Sequence, residues 1–175
     1  MRKNIREEQH SRRVSELCSQ IGIALDLPDN IISKLRVTGL VHDIGKIALS
    51  EDVLNKPGKL SEAEWIEIKR HCEIGFRILS SKSEMSELAE HVLMHHERLD
   101  GSGYPKGLKG DEISLIGRII GIADSYDAMT SDRAYRKAMP ESEAIAELVK
   151  CSGFLFDSSI VKVFIESVLK QKCKV

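Results

Sequence analysis

The sequence predicts a single all-α domain, and three observations carry that prediction. Apolar residues recur at three- and four-residue steps, beginning with Val14, Leu17, Cys18, Ile21 and Leu25; this period is the stripe of an amphipathic helix. Aromatic residues are only 5% of the chain while hydrophobic residues reach 42%. Leu, Ile, Val and Ala therefore supply the apolar mass, which suits packed helices better than stacked sheets. No pair of alternating segments flanks a tight turn in the manner of a hairpin. The 175 residues suffice for one core, and residues 1–175 are read as one domain.

The first helix covers residues 5–25. His10 lies one turn before Val14 and so projects from the same inner face. The Leu27-Pro28-Asp29 turn ends it and opens a second helix over residues 29–42. Gly45 follows the helix end, where a glycine can take a left-handed conformation. Residues 48–54 read as a short connector and Lys56-Pro57-Gly58 as a turn. Ser61-Glu62-Ala63-Glu64 is a capping box opening a helix through Trp65, Ile66 and Ile68, which continues past His71 to Leu79. After a break at 80–83, helix returns over residues 84–96, with Leu88, His91, Val92 and His95 along one side. A Gly-rich loop covers 100–109. Residues 113–129 are strongly apolar and read as the central buried helix, followed by a basic loop at 130–137. Pro140 suits a first helical turn, and Asp157 is placed to cap a last helix through Val161, Phe164 and Val168.

Composition narrows the function. A formal net charge of -1 gives no general attraction to nucleic acid or to anionic lipid, so polymeric nucleic acid and membrane are not expected partners. The four cysteines match neither a zinc ribbon nor a disulfide framework; they read as reduced thiols, which points to the cytoplasm. No apolar run approaches the ~18–20 residues that span a bilayer, and no apolar signal region follows Met1.

The chemistry concentrates in His42-Asp43 and in the stretch 93–127, where the His95-His96 doublet precedes a Gly-rich turn and a segment carrying Asp124 and Asp127. Neighbouring helical residues point about 100° apart, so each pair offers ligands in two directions. A carboxylate bridges two cations and an imidazole does not, which makes Asp43 the natural bridge. His10, His42, His71, His95, His96 and Asp124 complete the candidate set. Mixed nitrogen and oxygen donors suit iron, manganese or zinc rather than calcium or magnesium. Two such ions about 3.5–4 Å apart can activate water and clamp the oxygens of a displacement at phosphorus.

These residues resemble a known family. His42-Asp43-Ile44-Gly45-Lys46 is similar to the HDxGK signature of the HD superfamily of metal-dependent phosphohydrolases. The run from His95-His96-Glu97-Arg98-Leu99-Asp100 to Gly101-Ser102-Gly103-Tyr104-Pro105 resembles the signature of its HD-GYP branch. The stretches around His10, 54–60, 69–75, 122–130 and 132–136 follow the same family in order, so the resemblance covers nearly the whole chain. It implies an HD-domain helical bundle with a GYP loop and extra C-terminal helices. It also implies hydrolysis of the bacterial second messenger cyclic di-GMP to the linear dinucleotide or to GMP.

By resemblance, His10, His42, Asp43, His71, His95, His96 and Asp124 are the metal ligands, and Asp43 and Lys46 are catalytic. Lys46, Arg133, Arg136, Tyr104 and Gly103 meet the substrate, an arginine fork suiting phosphate. Asp127 would orient a ligand and Glu97 would brace a histidine or an arginine. Arg6 stands where some members carry a glutamate that helps hold a third ion, so two divalent ions, iron or manganese, are expected. Cys72 stands where a proline is common, with only local packing expected to change. The rival readings are a nucleotide-sensing module that docks a partner such as a GGDEF-type cyclase domain, or a phosphohydrolase of another cyclic dinucleotide.

Overall fold

A computed structural model describes residues 2–132 and 137–173, with side chains from Arg6 onward. Arg133 and Arg136, expected to contact phosphate, lie outside the described residues. The main helices are α1 (Arg2–Ala24), α2 (Asp29–Val41), α3 (Glu51–Leu54), α4 (Glu62–Lys69), α5 (His71–Ser80), α6 (Ser86–Met94), α7 (Leu115–Thr130), α8 (Glu141–Cys151) and α9 (Ser158–Val163). A 3-10 turn, Ile44–Ala48, joins α2 to α3, and a π-type turn, Phe164–Val168, continues α9. Among the described residues there is no strand, only isolated bridges between Asp100 and Lys109 and between Ser152 and Phe156. The fold is all-α, as the periodicity predicts. No described helix is long and apolar enough to cross a membrane.

Local chemistry sets several boundaries. Ser61 Oγ accepts the Glu64 N–H and Glu64 returns the bond to the Ser61 N–H, closing the expected capping box at the start of α4. Asp157 Oδ1 accepts from Ser159 and Ile160 N–H and starts α9. Ser114 Oγ accepts the Gly117 N–H and starts α7. Two expected boundaries differ. The helix predicted to run through His71 breaks at Arg70, so His71 opens α5. The helix predicted to end at His96 ends at Met94, with His95 as its C-cap.

Two apolar clusters flank the polar centre. The larger joins Val14, Cys18 and Ile21 of α1 to Leu35 of α2, to Ile116, Ile119, Ile120, Ile122, Ala123 and Tyr126 of α7, and to α8 and α9. The smaller holds Leu79 of α5 with Ala89 and Val92 of α6, backed by Val41, Ile44 and Phe76. Helix α2 touches α1, α6 and α7 and so ties the two together. Each fully buried aliphatic side chain contributes about 1.5–3 kcal/mol, so α7, with four fully buried or nearly fully buried isoleucines, is the main apolar prop beneath Asp124.

Gly45 is a glycine for a reason the sequence does not show. It does not sit in the left-handed region. It lies where the 3-10 turn crosses α5, and a Cβ there would collide with the His71 carbonyl and the Gly75 N–H. That close approach brings His42 and Asp43 beside His71. Gly45→Ala should therefore cost about 1–3 kcal/mol by overpacking and lower Tm by about 2–4 °C for each kcal/mol lost. A variant that melts with the parent would show that the two backbones tolerate separation.

Candidate metal centre

The expected donors come from five places in the chain and meet in one buried volume. His10 reaches in from α1, His42 and Asp43 from the end of α2, His71 from the start of α5, His95 and His96 from the end of α6, and Asp124 from the middle of α7. His42 and His95 have no exposure and His71 has 1%. Donor atoms of His71, His95 and His96 form one group within 4.8 Å, His10, His42 and Asp124 a second, and His42, Asp43 and His95 a third. Asp43 faces both sides: Oδ1 is 3.3 Å from His71 Nε2, and Oδ2 is 3.3 Å from His42 Nε2 and 3.6 Å from His10 Nε2. His10 Nε2 is also 3.3 Å from Asp124 Oδ1, and His96 Nδ1 is 4.0 Å from Asp124 Oδ2.

Three histidines are oriented by the same device. Nδ1 of His42 donates to Gly39 O at 2.8 Å, that of His71 to Ile68 O at 2.7 Å, and that of His95 to Val92 O at 2.6 Å. A carbonyl can only accept, so Nδ1 carries the proton and Nε2 presents a lone pair inward. His10 is oriented differently. Its Nδ1 is 2.7 Å from Asp127 Oδ2, and Asp127 is in turn gripped by Arg13 through Nε and Nη2 at 2.6 and 3.0 Å. Asp127 thus holds the His10 ring.

This centre lacks hydrogen-bond closure. His71 Nε2 and His95 Nε2 face each other at 3.3 Å with both protons committed elsewhere. His42 Nε2 and Asp43 Oδ1 are buried and have no hydrogen-bond partner among the described residues. Unpaired buried acceptors are costly, and divalent cations held by these donor groups would satisfy them. Two nitrogens bound to one four-coordinate first-row ion lie about 3.3 Å apart, which matches the His71–His95 separation. The His/Asp cluster therefore fits a metal.

The charge states of His71, His95, His96, Asp43 and Asp124 agree with ligation, whereas His10 and His42 would each have to release a proton. Burial, reinforced by neighbouring imidazoles, holds His95 well below its ordinary value. Burial also pushes His71 down and takes His96 to about 3, so these rings are neutral. Asp43 and Asp124 stay ionised despite burial, Asp43 chiefly through Lys46 and His42 and Asp124 chiefly through His10. Burial opposes charge on His10, but hydrogen bonds with Asp124, Asp127 and Asp43 outweigh it and raise it to about 11. Burial likewise opposes charge on His42, and Asp43 overcomes it.

The rim residues separate into two kinds. Lys46 Nζ donates to Asp43 Oδ2 at 2.5 Å and lies 3.7 Å from Glu7 Oε2, part-exposed at the edge of the centre. Tyr104 stacks on His96 with ring centroids 4.8 Å apart, and Lys69 Nζ sits 5.5 Å from its centroid. Gly103 packs against the backbone of residues 96–98, where a Cβ would clash. Glu97 does not brace a histidine or an arginine side chain. Its two carboxylate oxygens accept the N–H groups of Lys106 and Leu108, at 2.7 and 3.0 Å, and tie the Gly-rich loop to the end of α6. Arg98 spends its guanidinium on the carbonyls of His95 and Glu97 and over the Phe156 ring. His91 bonds Ser114 Oγ and belongs to none of the donor groups. Cys72, expected to change only local packing, has its buried thiol 3.5 Å from His71 Nε2, among the donors.

Comparison with known proteins agrees with this arrangement. The HD domain family model matches residues 2–160. The chain is 41% identical over 160 residues to the cyclic di-GMP phosphodiesterase PA4108 of Pseudomonas aeruginosa, covering 91% of this chain and 38% of that one. It is 46% identical over 137 residues to 3'3'-cGAMP-specific phosphodiesterase 3 of Vibrio cholerae, covering 78% of this chain and 30% of the relative. Against both, the chain spans less than half of the relative's length. Among solved structures, Bd1817, an HDG"Y"P protein from Bdellovibrio bacteriovorus, superposes with a TM-score of 0.76 at 21% identity, over 94% of this chain and 52% of that one. The chain belongs to the HD domain family, and its motif series is that of the HD-GYP branch.

Proposed function

We propose that this chain is the catalytic domain of a metal-dependent cyclic dinucleotide phosphodiesterase that hydrolyses cyclic di-GMP to the linear dinucleotide or to GMP. The observation that carries the reading is the pair of inward Nε2 lone pairs on His71 and His95 beside the unpartnered Asp43 Oδ1. A packing core would not tolerate them, and a cation requires them. Relatives named as cyclic di-GMP phosphodiesterases support the substrate class. Relatives named as 3'3'-cGAMP-specific, at 46% identity, favour a second cyclic dinucleotide as the rival substrate.

Two divalent ions, iron or manganese, would be held by His10, His42, Asp43, His71, His95, His96 and Asp124, with Asp43 between the two donor groups. Bound there, such ions supply water activation at neutral pH and stabilise charge at phosphorus. The chain's own groups do the rest. Lys46 carries a positive charge that Asp43 and Glu7 sustain against burial; at the rim it can hold a phosphate oxygen or give a proton to the leaving 3'-oxygen. Asp127, clamped by Arg13, keeps His10 turned inward. Glu97 holds the loop so that Tyr104 and Gly103 form a wall beside His96. Arg133 and Arg136 are proposed to grip phosphate. The unpaired cysteines favour a reducing cytoplasm. The non-enzymatic alternative, a sensor that docks a GGDEF-type cyclase domain, has no need of every donor.

Asp43→Ala should remove bound metal and lower cyclic di-GMP turnover at least about a thousandfold, since it deletes the carboxylate that would hold the ions from between the donor groups. Metal analysis and product chromatography on anaerobically purified protein check both, and near-parental turnover in the variant would contradict the assignment. Full metal loading with no turnover of either dinucleotide would favour the docking role.

A pH dependence follows from His10. A proton on Nε2 must leave before a cation takes that position, and the carboxylates around it hold that proton. Manganese affinity should therefore rise with pH, by up to about tenfold per unit for each proton displaced. Titration of metal binding at several pH values reads the slope directly; affinity that falls or stays flat as pH rises would exclude His10 as a ligand.

A further inference from the structure

We propose that Cys72 is a sulfur ligand of the metal ion held by His71 and His95, and that this donor tunes the site toward iron over manganese. The inference rests on the metal reading above and goes one residue beyond it. Cys72 is fully buried on the first turn of α5. Its Sγ is 3.5 Å from His71 Nε2 and belongs to one group with the donor atoms of His71, His95 and His96, all within 4.8 Å of one another.

The edge lengths are those of a shared ion. With metal–sulfur and metal–nitrogen bonds of about 2.3 and 2.05 Å at a tetrahedral angle, sulfur and nitrogen stand about 3.6 Å apart and two nitrogens about 3.3 Å apart. The observed separations are 3.5 Å for Cys72–His71 and 3.3 Å for His71–His95. Asp43 Oδ1, buried and without a hydrogen-bond partner among the described residues, lies 3.3 Å from His71 Nε2. The thiol sulfur faces the imidazole nitrogens.

Binding forms a sulfur–metal bond and releases the thiol proton to solvent, with no change in oxidation state. The divalent cation is the only co-reactant. Thiolate is a soft donor and binds iron, cobalt and zinc in preference to manganese. A proline at this position would leave the ion with nitrogen and oxygen donors alone.

Cobalt(II) is the probe, added to the whole chain freed of metal by chelation. The parent should show a thiolate-to-cobalt charge-transfer band in the near-ultraviolet besides the visible bands of imidazole and carboxylate ligation. Cys72→Ser should lose that band, keep the visible bands, bind cobalt at least about tenfold more weakly at one position, and shift iron–manganese competition toward manganese. Visible bands without the charge-transfer band in the parent would overturn the sulfur ligand and leave the metal centre standing, whether or not a variant folds. A band that persists in Cys72→Ser or Cys72→Ala would assign it to another cysteine and overturn the proposal equally. No cobalt uptake at all would overturn the metal reading itself.

Discussion

Three hydrogen bonds from imidazole Nδ1 to a carbonyl one turn back, at His42, His71 and His95, govern the rest of the structure. Each fixes a tautomer and a ring plane at a helix terminus, and each commits the remaining nitrogen to a lone pair inside the protein. The consequence is a concentration of acceptors around Asp43, of which His42 Nε2 and Asp43 Oδ1 meet no hydrogen-bond donor among the described residues. Desolvating an ion costs several kcal/mol, comparable with the burial of two or three isoleucines. An arrangement of this kind persists only where a ligand completes it.

The architecture serves that requirement. Helices α2 and α6 both end at the centre, and their C-terminal carbonyls favour positive charge. The start of α5 packs against α6 and the 3-10 turn, where Gly45 lets two backbones meet. Helix α7 carries Asp124 on a stem of buried isoleucines, which holds its backbone in place. Asp127, one turn on, is held by Arg13 and in turn holds His10. Rigid apolar packing on both sides keeps five imidazoles in a fixed relation, and preorganisation of this kind limits the entropy lost when a cation binds.

Much of this was legible in the residues. Apolar periodicity gave the helices, the capping box at Ser61 and the Asp157 cap gave two of their starts, and the ordered motif series named the donors that the fold brings together. What was not legible depends on contact between distant segments. Gly45 reads as a helix terminator from its position, whereas its role comes from a crossing with α5. Glu97 sits beside two histidines in sequence but turns away to bind the backbone of the loop. Arg98 follows Glu97 in the same motif and is spent on carbonyls. The break at Arg70 has no proline or glycine to announce it. Cys72 was visible only as a departure from a pattern, and its meaning needed a distance to His71.

The central claim is that the convergent nitrogens and the two carboxylates hold cations rather than a network of protons. Anomalous X-ray scattering from crystals of anaerobically purified protein, recorded on either side of the iron and manganese absorption edges, tests it most directly. Two peaks are expected, one bounded by His10, His42 and Asp124 and one by His71, His95 and His96, with Asp43 between them. Density without anomalous signal, with the imidazoles turned to bond one another or water, would contradict it.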